Sequence, residues 1–468
     1  MSTKTQSSPE KTLPVKSFLF REREVEADIR LPAVSLFAGG GLSDLGYELA
    51  GFEFIVHAEK DKNRATLCAE NFPDAESIVG ELQDAWETVV QKYLERRPND
   101  RLALLSVTPP CQGMSHSNPD RGRRSEGQKR DDRNRLTLKA VPVIEILKPR
   151  VVVVENVPQL LTEPNGIVKG GKEQSVVEAF AERLPKYSLF GRVVQMADYG
   201  VAQDRRRAIV VAVCEDEEWA RRLLSAGVGP WPVPTHDRKP TDGLLPWVTA
   251  EEWFKAMGYE QLDAKSEDSA RDPGDPLHVV SVYEGDYYWR VADIPPKSGL
   301  SAYDNSNCRE CGRKDVPKDL AKCSYCGAIM HNRPYVVEAD GTVRLIKGRH
   351  SSYRRMRHDE PARTITTASS HVGSDYKVHP WENRVLSIRE CADLQTVPRF
   401  YDWSWALKTR HTYLARVVIG EALPPWSTYL QGQLLGRLLN GEEVPVEAFA
   451  PFRWAREALT GDATSERR

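Results

Sequence analysis

Short, continuous apolar runs recur through the first 214 residues, separated by longer amphipathic stretches. They are Ala33-Val34-Ser35-Leu36-Phe37, Phe54-Ile55-Val56-His57-Ala58, Leu102 to Val107, Val151-Val152-Val153-Val154 and Arg207 to Val213. Strands that read as unbroken apolar runs are covered on both faces, and the intervening helices supply the cover. The pattern therefore predicts an α/β fold with a mostly parallel sheet and helices on both sides. Open sheets of this kind place their ligands at the carboxyl ends of the strands. The residues just after each run are thus where chemistry is expected.

The first run leads into Phe37-Ala38-Gly39-Gly40-Gly41-Leu42-Ser43-Asp44. Glycines there allow a tight turn and a close backbone approach to a ligand. Glu59 follows the second run, where an acid can take the ribose hydroxyls of a nucleoside. The third run is stopped by Thr108-Pro109-Pro110, which carries Cys111-Gln112-Gly113-Met114-Ser115. Two prolines stiffen that loop, so Cys111 is a candidate nucleophile. Glu155 follows the fourth run, and Gln203-Asp204-Arg205-Arg206-Arg207 leads into the fifth. A thiol, a carboxyl and guanidinium groups beside a nucleoside pocket form a set suited to covalent catalysis, with the arginines lowering the thiol pKa. Taken singly, Cys111 also reads as a small core residue, Glu59 as a solvated turn residue, and Glu155 and Arg205 as ion-paired surface groups.

A chain of 468 residues suggests two to three domains. We divide it into an N-terminal extension (1–30), a catalytic domain (31–214 and 384–458), an irregular insertion (215–383) and a polar tail (459–468). The insertion is rich in proline, glycine, tryptophan and charge, without a sustained helical period. It contains Cys308, Cys311, Cys323 and Cys326, a C-x2-C-x11-C-x2-C pattern that suits a small zinc ribbon holding a structural metal. Two disulfides are the competing reading, disfavoured in a reducing cytoplasm. His331 is not expected to be a ligand, since four thiolates complete a tetrahedron. The formal net charge is −2, so nucleic acid binding would need a local basic patch. The run Lys347, Arg349, His350, Arg354, Arg355, Arg357 and His358 is the candidate. No apolar run is long enough to span a bilayer, and a cytoplasmic location is expected.

In order along the chain, several segments resemble motifs of the DNA (cytosine-5) methyltransferases. They are Phe37–Gly41, Pro109-Pro110-Cys111-Gln112, Glu155-Asn156-Val157, Gln203–Arg207, Arg384–Pro398 and Ile419-Gly420-Glu421-Ala422-Leu423-Pro424-Pro425. The resemblance implies a Rossmann-like methyltransferase domain that uses S-adenosyl-L-methionine, and makes the insertion a target-recognition domain. It implies that Cys111 attacks C6 of a flipped cytosine, that Glu155 acts at N3, and that Arg205 holds the C2 carbonyl. Phe37, Gly39, Gly41, Glu59, Glu81, Pro109 and Glu421 are the implied cofactor residues. Ser115, Gln203 and Arg207 are implied DNA contacts, beside Arg354, Arg355 and Arg357 of the basic run. Three departures stand out: Leu42 replaces a glycine, Glu81 an aspartate and Glu421 an asparagine. The expected partner is double-stranded DNA, with the chain a monomer and the system one of restriction–modification or phage defence. A tRNA cytosine-5 methyltransferase and a catalytically silent DNA-binding protein are the alternatives.

Overall fold

The computed structural model describes residues 13–24, 30–110, 132–161, 164–169, 172–241, 243–347, 351–374, 376–408 and 412–455. Its centre is an eight-stranded sheet. The strands are β1 (Leu31–Leu36), β2 (Phe52–Glu59), β3 (Glu76–Val79), β4 (Leu104–Val107), β5 (Val151–Asn156), β6 (Tyr187–Gln195), β7 (Arg206–Cys214) and β8 (Trp454–Ala455). Their order is β8-β6-β7-β5-β4-β1-β2-β3. β1 to β5 run parallel, and β6, β7 and β8 pair antiparallel. The apolar runs foretold five of these strands. Half-exposed β3 and two-residue β8 carried too little apolar signal, and β6 (Tyr-Ser-Leu-Phe-Gly-Arg-Val-Val-Gln) is broken by polar residues.

Alternate residues of the central strands enter two different cores, as a sheet covered on both faces requires. Val151 and Val153 pack on one side and Val152 and Val154 on the other; Leu104 and Leu105 divide in the same way. The chain turns one way from β1 to β2 and the other way to reach β4, which puts a crevice at the ends of β1 and β4. Register aligns that crevice. Leu36 pairs with Ala58 and with Val107, and Val107 pairs with Val154. The residues that follow these four strands therefore emerge along one row.

One described segment of the N-terminal extension packs on the core, burying Val15, Phe18 and Leu19. Pro14–Leu19 is a helix whose Phe18 ring lies 5.3 Å from both Trp426 and Tyr429. Among the described residues of 215–383 the helices are short, the longest being eight-residue Glu218–Ser225 and Ala250–Met257, and the strands have two to five residues. Helices return at Ile388–Leu394, where Ser387 and Glu390 form a capping box. Thr412–Glu421 and Pro425–Leu439 follow. The last of these crosses the helix Leu42–Leu49 so closely that a Cβ on Gly46 would lie 2.1 Å from the Pro425 carbonyl.

Candidate active site

The row of strand ends opens into a cleft of about 1160 Å³. Phe37, Gly39, Glu59, Glu81, Pro109, Glu155, Arg207 and Glu421 all line it. Cys111 and Ser115 lie outside the described residues. The stem of their loop is described: Asn156 donates its amide to the Pro109 carbonyl at 3.1 Å and takes the Val157 N–H at 2.8 Å. Thr108 donates to the Phe37 carbonyl at 3.1 Å, tying that stem to the end of β1. The asparagine after Glu155 thus anchors the prolyl loop.

On the nucleoside side, Glu59 is buried and accepts the N–H groups of Gly39 at 3.0 Å and Asp61 at 2.9 Å. Gly39 has φ +58° and nothing within 4 Å of where a Cβ would stand, so bare backbone faces open space. Gly41 does something different from the expected cofactor contact. It is absent from the cleft wall, and a Cβ there would strike Phe72 at 2.6 Å and Cys68 at 2.9 Å. It lets the loop close onto the helix behind. Leu42 opens the helix Leu42–Leu49, is buried, and also borders the cleft. Glu81 stands at the N-cap position of the helix Leu82–Arg96, at the rim, and its side chain pairs with Lys60 at 3.1 Å. A nucleoside flanked by an acid, exposed backbone amides and an apolar ledge fits this donor set, so the cleft suits S-adenosyl-L-methionine.

At the other end stands Glu155, 5 % exposed. Burial raises its pKa, and Arg207 and then Arg205 oppose that rise. Register explains why Arg207 reaches it. Ile209 pairs with Glu155 across β5 and β7, and Arg207, two residues earlier, shares that face. Arg207 Nε lies 2.9 Å from Glu155 Oε1. That oxygen is buried, with the Arg207 guanidinium as its counter-charge.

Arg205 departs from the role expected of it. It is fully buried and is not part of the cleft wall. Its guanidinium donates to the carbonyls of Ile365 at 2.9 Å, Gly420 at 2.9 Å and Ala422 at 2.6 Å. The last two are orphan carbonyls at the end of the helix Thr412–Glu421, which a cation satisfies well. Gln203 likewise faces inward. It is fully buried, donating to Leu394 O and Gln395 Oε1 and accepting the Ile365 N–H. It holds the 360s segment in place and has no surface to offer DNA.

The basic run also divides. Arg355 is fully buried and donates to the carbonyls of Val291, Ile294, His379 and Glu382, and burial lowers its pKa to about 10. It is a structural hub, not a phosphate contact. Arg354 donates to the Gly299 carbonyl and stands over the Tyr376 ring, and half-exposed Arg357 pairs with Asp359 at 2.6 Å. Arg349 and His350 lie outside the described residues. Among the described residues, the cations that line the cleft are Arg64, Arg206, Arg207, Arg363 and Arg453, beside Lys60. Nothing local in the sequence marked Arg64 or Arg453.

Away from the cleft, the four cysteines of the insertion converge, all their sulfurs within 4.8 Å of one another. Cys308 and Cys326 are 3.7 Å apart at sulfur, and Cys311 and Cys323 3.8 Å. A tetrahedral zinc with Zn–S bonds of about 2.3 Å demands S···S edges of about 3.8 Å. The loops have matching form: Gly312 N–H bonds Cys308 O, and Gly327 N–H bonds Cys323 O. His331 instead pairs with Asp286 at 2.6 Å.

Fold and cleft define a methyltransferase of the α/β class. Residues 31–429 match the family of C-5 cytosine-specific DNA methylases. Type II methyltransferase M1.HgaI of Avibacterium volantium is 27% identical over 402 residues, spanning 84% of this chain and 94% of that protein. Type II methyltransferase M.PspPI of a Psychrobacter species is 25% identical over 423 residues, spanning 90% and 82%. A crystal structure assigned as a DNA modification methyltransferase encoded within an E. coli prophage superposes with a TM-score of 0.50 at 20% identity, covering 88% of this chain and 99% of that one. The chain belongs to the C-5 cytosine-specific DNA methylase family.

Proposed function

We propose that the protein methylates C5 of a cytosine flipped out of duplex DNA at a short specific site, within a bacterial restriction–modification or phage-defence system. The observation that carries this reading is the buried Glu155 carboxylate beside Arg207 at the end of the cleft. C5 of cytosine is a poor nucleophile. Attack on C6 by the Cys111 thiolate makes the ring an enamine and pushes charge toward N3 and O2. Glu155, its pKa raised by burial, holds a proton at N3. Arg207 takes the role first given to Arg205 and donates to the C2 carbonyl oxygen. Bound S-adenosyl-L-methionine supplies the electrophilic methyl group that C5 accepts. Loss of the C5 proton and expulsion of Cys111 then restore the enzyme. The target atom is hidden in a stacked pair, so the base must leave the helix.

Residues 215–383 are the target-recognition domain in this reading, and Cys308, Cys311, Cys323 and Cys326 hold a structural zinc ion that braces it. Relatives named as Type II methyltransferases support the modification role, and no described helix is long and apolar enough to cross a membrane. Bisulfite sequencing of DNA from cells expressing the chain tests the proposal. Protected cytosines in one short context, absent with Cys111→Ser, are expected. Uniform conversion in both would sink it.

A further inference from the structure

One charge pair in the cleft wall has no part in the chemistry above. Arg64 Nη1 lies 2.9 Å from Glu421 Oε2, and both side chains line the cleft and are only partly exposed. Arg64 stands on the helix Lys62–Asn71, just after Glu59, and Glu421 ends the helix Thr412–Glu421. The turn carrying Glu421 is held rigidly. The carbonyls on either side of it, Gly420 and Ala422, point inward to Arg205. Gly420 packs so tightly that a Cβ would lie 2.3 Å from the Thr367 nitrogen. The Glu421 carboxylate is therefore presented to Arg64 by a closely packed backbone turn.

We propose that Arg64 and Glu421 together seat the amino-acid arm of S-adenosyl-L-methionine, Arg64 taking its carboxylate and Glu421 its ammonium. The arm is a zwitterion, and so is the pair. Bringing them together gives four charges of alternating sign and adds no net charge to a partly desolvated wall. A neutral side chain at 421 could accept from the ammonium, but without opposing its charge and without holding Arg64 in place. The substitution of glutamate for asparagine at 421 is then paired with the arginine at 64: each charge needs the other when the cofactor is absent. Burial raises the Glu421 pKa and Arg64 opposes the rise, consistent with a carboxylate kept ionised by its neighbour.

The proposal rests on the methyltransferase reading and deepens it. Calorimetric titration of the full chain with two ligands tests it without turnover. S-adenosylhomocysteine carries the arm; 5′-methylthioadenosine carries the nucleoside and sulfur without it. Arg64→Met and Glu421→Gln should each weaken S-adenosylhomocysteine on the order of tenfold or more, the scale of a lost charged hydrogen bond. Both should leave 5′-methylthioadenosine unchanged, which also shows that the nucleoside pocket is folded. Equal losses for both ligands would make the pair a structural staple and overturn the assignment, as would no loss for either. If the wild-type chain binds neither ligand, the methyltransferase reading itself fails and takes the assignment with it.

Discussion

Arg205 and Arg207 stand two residues apart and serve opposite ends. Arg205 is buried on three carbonyls; Arg207 faces Glu155 from the cleft wall. Replacing Arg207 with Met should lower kcat by about 10²-fold or more, as for loss of a donor to a developing oxyanion, with little change in unfolding midpoint. Arg205→Met leaves buried carbonyls without donors and should cost on the order of 3 kcal/mol in urea unfolding. If Arg205→Met is stable and merely slow, the division is wrong. Glu155 gives a second contrast. Its pKa is raised by burial, so the folded state binds its proton more tightly than the unfolded chain does. That penalty is absent below the ordinary carboxylate range and grows as pH rises through the raised value. Glu155→Gln should abolish methyl transfer yet unfold at a higher temperature than wild type at pH 8, the difference closing toward pH 4. A variant less stable than wild type at pH 8 would refute the sign.

Among the elements, the cysteine cluster is the one whose stability the proposed zinc ion would carry. Its core is four residues, Cys308, Val316, Cys323 and Met330, too few to hold a fold by apolar burial alone. Treatment with a strong chelator should release about one zinc per chain and expose the ribbon to protease, and Cys308→Ser should do the same. Full resistance without metal would favour another bracing. The convergence of the four cysteines was legible, because their spacing is local. The strands that end at the cleft were legible for a similar reason: an unbroken apolar run needs no partner to be recognised. What the sequence hid was direction. Gln203, Arg205 and Arg355 are polar and lie in motifs or basic runs, which suggests a surface role. Each is fully buried because it collects carbonyls from segments far away in the chain. Only tertiary packing decides that, and a period or spacing cannot report it. The Arg64–Glu421 pair, separated by 357 positions, was invisible for the same reason.

At the scale of the whole molecule, residues 215–383 share the main apolar core with the rest of the chain, through Trp231, Trp253, Phe254, Leu277 and Ile365, and a buried polar cluster stands where they rejoin it. Arg384 pairs with Glu390 at 2.7 Å and with Glu382 at 2.7 Å, all in the junction where the insertion returns. His379 is buried beside them, facing Arg384, Glu390, Arg355 and His278, and Phe254 and Trp381 pack on its ring. Burial and then Arg384 depress the His379 pKa well below its usual value, while Arg384 keeps Glu390 ionised. The two groups act in different windows. Glu390 contributes stability above the ordinary carboxylate range, lost only as pH falls below it. His379 is neutral in the folded chain, whereas the unfolded chain protonates it below pH about 6.5. Stability should therefore fall as pH drops from 7 to 5, this histidine alone contributing a slope of up to about 1.4 kcal/mol per pH unit. His379→Gln should flatten that slope and leave stability at pH 8 within about 1 kcal/mol. Glu390→Gln should instead cost on the order of 3 kcal/mol at every pH from 6 to 8, because it strands Arg384 in the interior. Denaturant unfolding of both variants across this range separates the cases. A wild-type slope unchanged in His379→Gln would show that the junction does not carry the acid sensitivity.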